Sequence, residues 1–191
     1  MKKILVGSYL LMITTCLHAQ KFEQITKLVA VDRAVENNLG TAVAISGNYA
    51  VIAGAEIPSK GAPSNCNCVY VFEKNSTGDW KEIQKLIAPD AADGFGFSVS
   101  ISGSRIVVGA PNEDLDDKGG NSLVAAGAAY VFERNNSGTW VFTKKLISTD
   151  RGTLHQFGYS VSISNSRVLI GAPYQAAAYL FERIDANNWK A

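Results

Sequence analysis

The sequence predicts an all-β fold made of β-propeller blades, each a sheet of four antiparallel strands. Three observations predict it. Short runs rich in Val, Ile, Tyr and Phe alternate with clusters of Gly, Asn, Ser and Asp, which is the composition of strands and turns. One four-run unit of about 60 residues recurs along the chain, and a repeat of this size is a unit that buries its apolar faces against its neighbours. The register within the unit is strict: Gly96 to Gly109 and Gly158 to Gly171 are each 13 residues, and Gly40 to Gly54 is 14.

Each run of the unit has its own reading. The first, Phe95-Gly96-Phe97-Ser98-Val99-Ser100-Ile101-Ser102, places Phe97, Val99 and Ile101 on one side and three serines on the other. Gly103-Ser104 follows as a two-residue hairpin turn, with Gly47-Asn48 and Asn165-Ser166 in the other copies. The second run, Arg105 to Ala110, is apolar almost throughout, so both of its faces should be covered. Pro111 has no N–H for a ladder and ends the strand.

A variable loop comes next, long at Asn112 to Gly127 and almost absent at Tyr174 to Ala176. The third run is Ala129-Tyr130-Val131-Phe132-Glu133-Arg134, with counterparts from Val69 and Ala178. The fourth begins at a tryptophan, Trp80 or Trp140, and ends six residues later at Leu86 or Leu146. Phe72 to Trp80, Phe132 to Trp140 and Phe181 to Trp189 are all 8 apart.

The small residues Ser98, Ser100 and Ala110 leave room for a neighbouring sheet, while Phe97, Phe132 and Trp140 fill the space. The fixed positions of Trp80, Trp140 and Trp189 point to core packing rather than to sugar stacking. Phe22 to Leu28 repeats the six-residue spacing and reads as a lone fourth strand. The expected organisation is therefore a leader over 1–19 and repeats over 20–191. The repeats comprise a lone strand at 21–29, blades at 39–88 and 95–148, and an incomplete blade at 157–191.

The leader has different chemistry. Lys2 and Lys3 precede a mostly apolar run from Ile4 to Thr15, and Leu17-His18-Ala19 precedes Gln20. This reads as a secretory signal peptide cut after Ala19. The apolar run falls short of the ~20 residues a spanning helix needs. Ile13-Thr14-Thr15-Cys16 matches a bacterial lipidation box only loosely, because Thr15 stands where a smaller residue is usual. The remaining chain offers no other spanning segment. Charge is nearly balanced, 18 basic against 17 acidic residues, so no basic field recruits nucleic acid.

The two motif halves resemble the FG-GAP repeat of integrin α-subunit propellers. Phe95-Gly96 with Gly109-Ala110-Pro111, and Phe157-Gly158 with Gly171-Ala172-Pro173, carry both halves; Leu39-Gly40 with Gly54-Ala55 is a weaker copy. The resemblance spans about Lys21 to Ala191 and is to the compact form found in secreted bacterial proteins. It implies about three blades of a seven- or eight-bladed ring, displayed outside the cell at a bacterial envelope or secreted. It implies binding or adhesion, with an extracellular protein or carbohydrate as ligand. Integrin-like repeats carry a calcium loop between the two motif halves. Here that place holds only Ser102-Gly103-Ser104 and Ser164-Asn165-Ser166, which offer no carboxylate to an ion that takes six to eight oxygens.

Candidate sites are few. The acidic loop Asn112 to Gly119 could offer Asp114, Asp116 and Asp117 to Ca²⁺, but Lys118 stands in the third-ligand position and repels a cation. A solvated loop fits it better, and no metal or other cofactor is expected. Asp32, Asp90 and Asp150 each lie four residues past a strand-ending leucine and read as Asx-turn residues. Cys66 and Cys68, two apart, would close only a strained ring and make half a zinc site at most; they read as a loop pair without a role in the fold.

His155 is the one histidine after Ala19 and reads as a surface residue. No Gly-x-Ser-x-Gly is present, and no catalytic residue is expected. Asn75-Ser76-Thr77 and Asn135-Asn136-Ser137 match glycosylation sequons, but they fall in turns that want Asn for conformation.

The expectation is a non-enzymatic extracellular or cell-surface binding module with its ligand at variable rim loops. The alternative is a propeller scaffold or accessory domain of a larger secreted enzyme. Propellers use at least four blades, so the ring needs further blades of the same protein or another copy of it.

Overall fold

The computed structural model describes residues 23–32, 37–56, 67–90, 92–185 and 188–191. Three four-stranded antiparallel sheets follow one another along the chain. The first holds β1 (Asn37–Ser46), β2 (Tyr49–Glu56), β3 (Asn67–Lys74) and β4 (Trp80–Leu86). The second holds β5 (Ser98–Ser102), β6 (Arg105–Ala110), β7 (Ala128–Arg134) and β8 (Trp140–Leu146). The third holds β9 (Ser160–Ser164), β10 (Arg167–Ala172), β11 (Ala177–Arg183) and β12 (Trp189–Lys190).

Strand order in every sheet equals sequence order, so each sheet is a meander. Two-residue turns with left-handed backbone at Gly47, Gly103 and Asn165 join first strand to second, as their Gly and Asn residues dictate. The third and fourth strands carry the same irregularity twice, between Val71 and Phe72 and between Val131 and Phe132. A bulge held at one repeat position is a feature of the unit.

The sheets pack face to face, with first strand against first strand, β1 on β5 and β5 on β9. Two apolar layers result. Val51, Val69, Val71 and Leu86 of the first sheet meet Phe95, Ile106, Val108, Tyr130 and Trp140 of the second. Val107, Val131 and Leu146, on the second sheet's other face, meet Phe157, Ile163, Ile170 and Phe181 of the third. The second sheet is thus covered on both faces, which is why β6 is buried nearly throughout. The matching strand β10 is buried on alternate residues only, because the third sheet has a neighbour on one side. Two-sided burial of the second run therefore holds for β6 and not for β10.

The motif glycines serve this packing. Gly96 and Gly158 share a φ of +92°, and each donates its N–H to the carbonyl of its own sheet's second motif glycine, Gly109 or Gly171, at 3.1 Å. The preceding phenylalanines turn inward. Phe95 meets Tyr130 and Phe132 edge-on, and Phe157 meets Tyr179 and Phe181 in the same way.

Four expectations are corrected. Phe97 does not fill the core: the left-handed bend at Gly96 places it ahead of β5, where it is 47% exposed. Trp140 is buried against Tyr49 and Gln84 of the preceding sheet, but Trp80 and Trp189 are only half-buried, Trp80 because among the described residues no sheet precedes its own. Cys68 is not a loop residue; it is the second residue of β3, buried, with its thiol directed at the Gly54 carbonyl at 3.7 Å. Residues 23–30 form no strand; Leu28 and Ala30 pack instead on the first sheet. Phe22, Cys66, Cys16 and the whole leader lie outside the described residues.

Candidate functional site

Strand direction gathers the variable features on one rim. The Phe-Gly bends, the loops after the second strands and the exits of the fourth strands all fall at one end of the sheets. Among the described residues the opposite end carries tight hairpins, the Asn75 and Asn135 turns, where each asparagine side chain accepts backbone N–H from within its own turn, and the turn at Asp185, whose carboxylate accepts the Asn188 N–H.

Three clasps line the variable rim. Asp90, just past β4, accepts the Tyr130 hydroxyl at 2.8 Å and the Lys145 ammonium at 2.7 Å, both from the second sheet. Asp150, just past β8, accepts the Tyr179 hydroxyl at 2.6 Å and the Gln175 amide at 2.6 Å. Asp32 accepts from Lys85 at 2.8 Å and bonds Tyr70. Each aspartate therefore ties the end of one repeat to the third strand of the next sheet. This corrects the Asx-turn reading. Four residues beyond the leucine, the chain has already crossed to its neighbour.

The clasps shift the titration of their members. The Lys85 hydrogen bond holds the Asp32 carboxyl below its ordinary value, and the Tyr179 hydrogen bond does the same for Asp150. Burial, reinforced by Asp150, pushes the Tyr179 phenol up to about 12. Burial raises Tyr130 further, with the Asp90 hydrogen bond adding to it.

The acidic loop is built rather than solvated, and its carboxylates are spent on it. Glu113 is buried and takes the Leu115 N–H at 2.9 Å and the Lys145 ammonium at 3.0 Å. Asp114 takes the Ala125 N–H at 2.7 Å. Asp116, also buried, takes the N–H groups of Lys118 and Gly120 and the side-chain amide of Asn121. Those backbone bonds hold its carboxyl below the ordinary range. Asp117 faces Lys144 at 3.6 Å.

The three aspartates thus point to three different sets of donors. Among the described residues no group of three His, Cys, Asp or Glu is placed to hold a metal ion. Short-range acidity drew attention to this loop, but the backbone donors that occupy it lie up to eleven residues away. Arg151 fastens the loop to the next repeat, donating to the carbonyls of Asn121 and Asp114.

Two features of this rim were not legible as a site. Phe97 and Tyr159 follow the glycines of successive Phe-Gly bends and pack against each other across the inter-sheet boundary, rings tilted by 52° and centroids 4.7 Å apart, with Tyr159 42% exposed. Their equivalent positions in the repeat were the available signal; exposure was not readable. Near them, Leu154 and Val124 stand exposed where the 151–156 segment meets the acidic loop, Leu154 donating its N–H to the Val124 carbonyl. His155 is half-buried rather than on the surface, its ring lying over Gly152. Asn121, Ala125, Leu154 and Gln156 all hold left-handed backbone in this region, a concentration of strain that packed loops support.

Face-to-face meanders, joined first strand to first strand and clasped repeat to repeat, define a partial β-propeller. A sequence model of the FG-GAP repeat matches residues 22–72, 80–132 and 140–181, and the chain belongs to the FG-GAP repeat family. Each of the last two matched segments runs from a fourth strand, across an aspartate clasp, to the third strand of the next sheet. Comparison with curated proteins gave no match. Among the described residues no helix is long and apolar enough to cross a membrane.

Proposed function

We propose that this protein is a non-enzymatic binding or adhesion module acting outside the cell or at its surface, with its ligand on the variable rim. The observation that carries the reading is the Phe97–Tyr159 pair. Two adjacent aromatic rings, each nearly half exposed and tilted against each other, leave an apolar spot on the rim, and exposed aromatic surface is suited to a sugar ring or an apolar side chain. The built loop from Asn112 to Gly127 supports it, since an ordered long loop on a rigid scaffold is the usual carrier of recognition. Export rests on the leader: Lys2, Lys3 and the apolar run behind them.

The test has two arms. Epitope-tagged chain expressed with its leader is scored for surface accessibility to added protease. Purified protein is probed on a printed glycan array and on immobilised matrix proteins, beside Phe97→Ser and Tyr159→Ser. Surface exposure and a binding signal weakened about tenfold by either change, ~1.4 kcal/mol, are expected. Retention inside the cell, or binding indifferent to both changes, overturns the proposal.

A further inference from the structure

We infer that the Lys145–Asp90 clasp matures into a covalent amide between the two side chains, with Glu113 as the group that moves the proton. Lysine is almost never fully buried unless it is paired. Lys145, on β8, is 5% exposed and holds two carboxylates on its one nitrogen, Asp90 Oδ2 at 2.7 Å and Glu113 Oε1 at 3.0 Å. One carboxylate would balance the ammonium. The second, on a Glu113 side chain that is itself 5% exposed, leaves an excess charge away from water.

The rest of the clasp suits a reaction at the Asp90 carboxyl carbon. The Tyr130 ring, 0% exposed, walls the site, its centroid 5.4 Å from the Lys145 nitrogen. Its hydroxyl donates to the other Asp90 oxygen, Oδ1, at 2.8 Å. A nitrogen 2.7 Å from Oδ2 lies about 3.5 Å from the carboxyl carbon, the separation of a near-attack arrangement. Nucleophile, carboxyl carbon, proton carrier and oxyanion donor therefore converge at one point.

The other clasps lack this combination. In the first, Lys85 and Asp32 also meet at 2.8 Å, but they are 26% and 46% exposed, so water solvates both charges. In the third, Gln175 stands at the place of Glu113, two residues past the proline of Gly-Ala-Pro, and donates its amide to Asp150. A carboxamide there is no proton carrier.

The step balances as a condensation. The Lys145 ammonium passes one proton along its hydrogen bond to Asp90 Oδ2, which removes two charges from a site shielded from water. The amine lone pair attacks Cγ, and the carbonyl π pair moves to Oδ1, where the Tyr130 hydroxyl meets the developing charge. Glu113 takes a proton from the nitrogen as general base and returns it as general acid to the Oδ2 hydroxyl. The Cγ–Oδ2 bond breaks, the Cγ–Oδ1 double bond reforms, and one water leaves past Asp90, whose side chain is 27% exposed. One ammonium and one carboxylate become one amide and one water; nothing is oxidised or reduced, and Glu113 ends ionised as it began. The product staples the end of the first repeat to β8 across 55 residues.

Peptide mapping of the purified full chain tests this. The parent is held folded at neutral pH, digested with trypsin and sequenced by mass spectrometry. A branched peptide joining Lys145 to Asp90, lighter by one water than its two parts, is expected. Lys145→Arg and Asp90→Ala should give linear peptides only. Glu113→Gln should slow the bond by at least about a hundredfold. If that variant melts early, Tyr130→Phe keeps the ring, loses the hydroxyl and should slow the bond about a hundredfold. A parent whose Lys145 and Asp90 peptides are recovered linear overturns the inference. So does a water loss that maps to one linear peptide, as a succinimide at Asp93-Gly94 would give, or a bond that forms as fast in folded Glu113→Gln and Tyr130→Phe as in the parent.

Discussion

Gly109→Ala puts the sheet-to-sheet packing to a direct test. A Cβ built on Gly109 would stand 3.0 Å from the carbonyl carbon of Gly158, and closer still to its oxygen and to the Ser98 hydroxyl. Carbon atoms prefer about 3.5–4.0 Å, so the second and third sheets must part locally by roughly 1 Å. Gly158 cannot yield. Its backbone is left-handed and its N–H is committed to the Gly171 carbonyl. Overpacking costs typically 1–3 kcal/mol, and a backbone obstacle belongs at the upper end, about 3 kcal/mol. For a chain of this size that lowers the melting temperature by roughly 6–12 °C.

The same motif position supplies the controls. At Gly54 the nearest atom to a new Cβ is a Tyr70 ring carbon at 3.3 Å, and at Gly171 the nearest backbone atom is the Ser160 carbonyl oxygen at 3.9 Å, with only the Ser160 side chain closer, its Cβ at 3.7 Å and its rotatable hydroxyl nearer still. Gly54→Ala and Gly171→Ala should stay within about 1 kcal/mol of the parent. Urea and thermal unfolding followed by circular dichroism would measure all three. If Gly109→Ala melts within about 2 °C of the parent, or no lower than Gly171→Ala, the close approach of the two sheets is not as described.

Three further outcomes are expected. Trp140→Ala removes a buried ring that meets Tyr49 edge-on at 5.6 Å and should cost about 3–5 kcal/mol, whereas Trp80→Ala, half-buried, should cost clearly less in the same denaturant titration. Lys145→Ala leaves the buried Glu113 carboxylate and Asp90 without their shared cation; a loss of about 3–5 kcal/mol is expected, and a near-neutral result would show that the clasp carries no stability. Asp32, Asp116 and Asp150 all titrate below the ordinary 3.8 in the folded chain, so unfolding takes up protons in acid. Their contribution is present in full above about pH 5, where aspartate is ionised in both states, and is lost as pH falls through their folded values. Unfolding measured from pH 7 to pH 3 should show this acid limb, and Asp116→Asn should make it shallower.

Much of this fold is legible in the residues because a strand writes its own geometry into its alternation. Val99 and Ile101 against Ser98, Ser100 and Ser102 mark two faces, Gly103-Ser104 marks the hairpin, and Pro111 marks the end of β6. The candidate site is less legible. Asp90, Tyr130 and Lys145 are 40 and 55 positions apart, and no spacing rule connects them before the sheets are stacked. The acidic loop showed its charges but not the backbone N–H groups that consume them. Phe97 reads as a core residue by alternation, yet the left-handed Gly96 beside it breaks the alternation that the reading assumed.

By itself, then, the sequence determined the repeat, its register, the meander of four strands and the membership in the FG-GAP family. Only the tertiary structure decided which copies of one position are buried. Val107 and Leu169, or Trp140 and Trp80, occupy the same place in the repeat and differ in exposure because one sheet has two neighbours and the others have one. Periodicity records a strand's two sides; whether either side is covered is set by the sheet beside it, and that neighbour lies about 60 residues along the chain.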